Sequence, residues 1–187
     1  VDDATKVLAA QANLLVQAMV TALTVRERLK VEKTFWFCIK DWGGPGHGLL
    51  DVDGKPKPAF AAYTALTTAL QDARYVGAWK TTGDVRAHVF DRGGKPVLVL
   101  WNPAPEGMVA VELPTKAEGI LVRTVTNDQR DLAVTGGKAT LEAAHAPVFV
   151  TGFAVSDLEV APVEKAQTET PLAQPEAPKG VWLSVVP

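Results

Sequence analysis

The chain has 187 residues and a formal net charge of −2, from 19 Lys and Arg against 21 Asp and Glu, so no electrostatic footprint for nucleic acid is present. An apolar fraction of 47% is enough for a sizeable core and excludes a largely disordered chain. A single cysteine, Cys38, excludes an internal disulfide and a cysteine-based zinc site.

The first region, residues 1–72, reads as helix, strand, loop, helix. Asp2 and Asp3 suit the positive end of a helix. Val7, Leu8, Leu14, Leu15, Met19 and Leu23 then recur at helical spacing, and the cations of residues 26–30 suit its end. No apolar run reads as long enough to span a membrane. Residues 33–40, Lys-Thr-Phe-Trp-Phe-Cys-Ile-Lys, are aromatic and β-branched with little alternation, which predicts a strand buried on both faces. A glycine-rich loop and an Asp-x-Asp-Gly turn follow. Pro58 then opens a second helix, at the position where its missing N–H costs nothing.

The second region, residues 73–155, changes to short strands and turns. Residues 85–90 and 96–101 flank Asp91-Arg92-Gly93-Gly94 and predict a hairpin. Further strands are predicted at 108–113, 120–125, 132–134, 139–141 and 147–153, about seven in all, which suggests an antiparallel sandwich. Residues 156–187 read as a Pro-rich linker ending in an apolar strand.

Candidate chemistry gathers around residues 35–53. Phe35 and Phe37 read as core. Trp36 shares the opposite face with Cys38 and Lys40, near the end of the strand, where an indole could stack on a sugar ring. Trp42, in a glycine loop, has no packing reason to be there and reads as a binding residue. Asp41 and His47 could hydrogen-bond hydroxyls; the plainer reading makes them a turn residue and a loop histidine. Asp51 and Asp53 resemble the start of a calcium loop, but Lys55, Lys57 and Ala59 stand where oxygen ligands belong, so a β-turn is expected and no metal. No Lys-Ser/Thr follows the glycines to hold phosphate, and no nucleophile elbow or dinucleotide fingerprint is present. No cofactor is expected, and Cys38 reads as an inert core thiol.

The stretch from Thr34 to Trp42, and the later Gly-Leu-Leu-Asp-Val-Asp-Gly-Lys-Pro-Lys-Pro-Ala-Phe from Gly48 to Phe60, resemble the end of a glycoside hydrolase barrel. They are similar to the eighth strand, loop and helix of clan A enzymes, especially those like family 39. Gln11-Ala12-Asn13 resembles part of the seventh helix, and Leu100-Trp101-Asn102 and residues 146–152 resemble strands of the β-sandwich that follows such barrels.

The resemblance implies an α/β fragment (helix 7, strand 8 and helix 8 of a (β/α)8 barrel) followed by an all-β antiparallel sandwich. A complete barrel takes about 250 residues, and the chain opens on Val1 with no signal-peptide pattern. The expectation is therefore a piece of a longer, extracellular or cell-surface, retaining β-glycoside hydrolase. Its two catalytic Glu would lie in a missing N-terminal barrel segment, so no catalytic residue is assigned here. Glu27 and Glu32 fall at the wrong end of strand eight. The substrate-binding candidates are Trp36, Asp41, Trp42 and His47, facing an oligo- or polysaccharide. The alternative is a non-catalytic carbohydrate-binding or spacer β-sandwich module.

Overall fold

The computed structural model describes residues 3–42 and 46–163. The apolar C-terminal segment and most of the expected linker lie outside these, as do three residues of the glycine loop. Helix α1 (Asp3–Val25) and helix α2 (Pro58–Leu70) come first. They are followed by strands β1 (Arg74–Trp79), β2 (Arg86–Arg92), β3 (Lys95–Trp101), β4 (Val109–Pro114) and β5 (Gly119–Thr124). Strands β6 (Gln129–Ala133), β7 (Lys138–Ala143), β8 (Val148–Thr151) and β9 (Val160–Pro162) complete the described chain.

The strands form two antiparallel sheets. One has seven strands in the order β6-β5-β8-β3-β2-β1-β9, and the other pairs β4 with β7. The small sheet covers one face of the large one. Val111, Leu113, Ala139, Leu141 and Ala143 meet Val89, Leu98, Leu100, Ile120, Val122 and Val150 in one core. The opposite face carries Phe90, Val97, Val99, Trp101 and Phe149, and packs under Leu15, Val16 and Val20 of α1 and Ala62, Ala65 and Leu66 of α2. Strand β3 is therefore buried on both faces, which explains its unbroken Val-Leu-Val-Leu-Trp run.

Strand β1 has no counterpart in the sequence reading. A bulge between Tyr75 and Gly77 shifts its register against β2 and breaks the alternation. Gly77 sits at φ 154°, and a Cβ there would lie 2.1 Å from the Ala161 carbonyl oxygen of β9. Residues 160–162, expected within a linker, pair with β1 as β9. A strand of three residues leaves no periodic signal to find.

Two expectations are corrected. Residues 33–40 form no ladder strand among the described residues. They run extended, bridge to another part of the backbone only at Lys40 and Leu50, and leave Phe35 82%, Phe37 65% and Ile39 72% exposed, while Trp36 packs against the helical core. Burial on both faces needs a packed layer over each, and among the described residues only the Trp36 side is covered, by the helices. The first helix also departs from the expectation that no apolar run is long enough to span a membrane. Residues 7–25 carry no charged side chain, and α1 is long and apolar enough to cross a membrane by length and composition. In this fold it is a packing helix with Leu15, Val16 and Val20 fully buried.

Candidate functional site

The candidate residues lie on the segment between the two helices. Its two arms are joined by backbone hydrogen bonds. Leu50 N–H donates to the Ile39 carbonyl at 2.8 Å, Asp41 N–H to the Leu50 carbonyl at 3.1 Å, and Lys57 N–H to the Leu49 carbonyl at 2.9 Å. Between them Asp51 makes the turn expected of Asp-x-Asp-Gly. Its Oδ1 accepts from the N–H groups of Asp53 and Lys55 at 2.9 and 2.8 Å, and Gly54 takes φ 84°.

Asp41 is buried, and both of its carboxylate oxygens are engaged. Oδ2 accepts from Lys57 Nζ at 2.8 Å and Oδ1 from the Gly48 N–H at 2.6 Å. The Lys57 ammonium also donates to the Gly46 carbonyl at 2.9 Å. The Lys57 hydrogen bond holds the Asp41 carboxyl below the usual carboxylate range; burial opposes this, and the backbone N–H of Gly48 adds to it. A Cβ at Gly48 would stand 2.6 Å from Asp41 Oδ1, so the close approach needs glycine there. Gln11 of α1 donates from Nε2 to the Gly48 carbonyl at 2.9 Å and ties the loop to the helix.

Trp36 is half-buried against the helical core, and its indole N–H donates to the His47 carbonyl at 2.7 Å. The structure thus joins Trp36 to the backbone of His47, whose side chain is exposed. Trp42 is 82% exposed and meets Phe37 edge to face, with ring centroids 5.8 Å apart at 67°. Of the four sequence candidates, Trp36 and Asp41 face the protein, while Trp42 and His47 face solvent.

Two residues of the site were not among those candidates. Phe37, a core residue by its sequence pattern, forms the exposed aromatic pair with Trp42. Its alternation opposite Trp36 was the available signal. Lys57 carried no signal, because its partner Asp41 lies sixteen positions away and only the folded loop brings the two together. The arrangement offers an exposed aromatic pair, an exposed imidazole and a hydrogen-bonded segment at residues 46–48. Its buried carboxylate has no open oxygen for acid–base work, so the chemistry it suits is binding.

No family model matches the sequence, and no curated protein matches it. Solved structures do. A family 39 glycoside hydrolase from the gut symbiont Bacteroides cellulosilyticus WH2 matches over 75% of this chain and 30% of its own, with TM-score 0.63 and 18% identity. A GH30 endoxylanase from Clostridium papyrosolvens C71 matches over 82% of this chain and 39% of its own, with TM-score 0.55 and 16% identity. The GH30 subfamily 8 xylanase Xyn30A from Clostridium acetobutylicum matches over 75% and 39%, with TM-score 0.56 and 11% identity. This chain spans about 30 to 39% of the length of these structures. Its fold is shared with part of these family 39 and GH30 glycoside hydrolases.

Proposed function

We propose that this chain is the C-terminal section of a retaining β-glycoside hydrolase, completing its barrel and carrying the accessory β-sandwich. In this reading α1 is the seventh barrel helix, residues 33–40 the eighth strand and α2 the eighth helix. One observation carries it. Phe35, Phe37 and Ile39 are exposed, while Trp36 between them packs against the helical core and Cys38 is partly covered. That alternation fits a barrel strand whose inner face and lateral neighbours lie in another segment.

The two catalytic carboxylates belong to that other segment, so the chain alone hydrolyses nothing. Asp41, Trp42 and His47 follow the strand at its substrate end, while Trp36 packs against the helices from within it. Trp42 supplies an aromatic face to an oligo- or polysaccharide, and Asp41 acts by holding the loop. An extracellular or cell-surface location suits such a substrate.

The binding-module alternative needs an exposed aromatic row on the sandwich. Trp79, Trp101 and Phe149 are all buried, which disfavours it. The test is to express the chain with the coding sequence that precedes Val1 and assay aryl β-glycosides. The extended protein should hydrolyse them and the 187-residue chain should not. An extended protein without a pair of Glu at barrel strand ends, and without activity, would sink the reading.

A further inference from the structure

A cleft lies away from the aromatic loop, in the corner between the last turn of α2 and the outer face of the large sheet. It has a volume of about 470 Å³, within the range of small-molecule sites. Val97, Leu121 and Phe149 form its apolar floor, and Arg92, Lys95 and Arg123 stand around it. No carboxylate belongs to its lining. That is unexpected in a chain with more acids than bases. Asp91, in the adjacent turn, accepts from the Gly94 N–H, and Asp131 pairs with Leu121 on the neighbouring strand but is not part of the lining.

The two guanidinium groups are held by neutral oxygens. Arg92 donates from one terminal nitrogen to the Thr68 carbonyl at 2.7 Å, and Arg123 to Asn127 Oδ1 at 3.2 Å. None of the three cations takes part in the ion pairs found among the described residues. Each guanidinium keeps further N–H donors, and its fork matches a carboxylate. Orienting the donors beforehand lowers the entropy lost on binding.

We propose that this cleft binds a carboxylate-bearing saccharide unit, a uronate, with the carboxylate on Arg92 and Arg123 and the sugar ring over the apolar floor. The saccharide half of this assignment rests on the glycoside hydrolase reading; the carboxylate half rests on the cleft alone.

The test is a titration of the 187-residue chain with glucuronate, glucose and acetate, followed by backbone amide NMR. Glucuronate at millimolar concentration should shift the resonances of Val97, Leu121 and Thr151, and salt should weaken the effect. Glucose should leave them unchanged, and acetate should bind more weakly than glucuronate. Arg123→Gln should weaken glucuronate binding by about tenfold. Lys95→Gln should weaken it in the same direction; Lys95 has no side-chain hydrogen bond among the described residues, so this variant keeps the fold. No shift with glucuronate overturns the proposal. So does an equal response to glucose, or acetate binding as tightly as glucuronate. An inactive extended protein would defeat the hydrolase reading without altering this titration.

Discussion

Phe35→Ala separates a barrel strand from a free surface segment. A phenylalanine side chain buries roughly 150–250 Å² in a core. With Phe35 82% exposed, an area on the order of 150 Å² remains to be covered, worth about 4 kcal/mol at about 25 cal/mol per Å². In the 187-residue chain that area is already wet, so truncation should change stability by less than about 0.5 kcal/mol. In the extended protein the same change should cost about 3–5 kcal/mol, as for any buried phenylalanine. Phe90→Ala is the control, since Phe90 is buried in the helix–sheet core and should cost that much in both proteins. The assay is urea denaturation followed by tryptophan fluorescence, with the slopes compared to confirm that both variants unfold the same surface. A cost above about 1 kcal/mol in the chain alone would show that residues 33–40 are already core. Equal and negligible costs in both proteins would show that residues 33–40 are not a barrel strand.

Three other expectations follow. His88 has its pKa lowered to about 4, first by burial and then by Arg86. The unfolded state, near 6.5, binds the proton more readily, so this stability is present above pH 6.5 and lost as pH falls toward 4. The loss is on the order of 3 kcal/mol, and His88→Gln should flatten that window in denaturation curves while keeping a partner for the Tyr75 hydroxyl. Asp41 titrates lower. Its folded pKa is below 3.8, so its contribution is present above that value and lost as pH falls through the folded one; Asp41→Asn should flatten the curve only in that acid range. Trp36→Phe removes the 2.7 Å bond to the His47 carbonyl and should cost about 1 kcal/mol in thermal denaturation, while Trp42→Ala should stay within about 0.5 kcal/mol and weaken saccharide binding by the extended protein.

What was legible in the sequence was what local chemistry decides. The turn Asp91-Arg92-Gly93-Gly94 predicts a hairpin, and Gly93 and Gly94 take φ 60° and 83° in it, joining β2 to β3 with Arg92 opposite Lys95. The helical spacing of Leu8, Leu15 and Met19 predicts α1, which runs from Asp3 to Val25. What was not legible depends on distant chain. The bulge at Gly77 hides β1, because the close approach that requires glycine comes from β9, more than eighty positions later. The run Phe35-Trp36-Phe37 is apolar on both sides, as a buried strand is, but its composition does not say which neighbours bury it. The site shows the same division. Trp42 stood out as an indole in a glycine loop, whereas the Asp41–Lys57 pair exists only once the two arms of the segment fold together.

That pair also explains why the loop is built as it is. A buried ion pair is weak evidence for stability, since a well-packed apolar pair in its place is often neutral or better. Its value lies in where the remaining hydrogen bonds go. The Lys57 ammonium reaches the Gly46 carbonyl, and Asp41 reaches the Gly48 N–H, so the two side chains hold the backbone on both sides of His47. The His47 carbonyl in turn receives the Trp36 indole, and Gln11 fixes the Gly48 carbonyl from α1. Four side chains thus hold three successive residues of one loop, and Trp42 follows directly after the clamped Asp41. An apolar replacement could fill the same space but could not bond those backbone groups. The polar arrangement is therefore best understood as fixing the position of a loop that presents an exposed aromatic pair, which is what a binding surface requires and a mere surface turn does not.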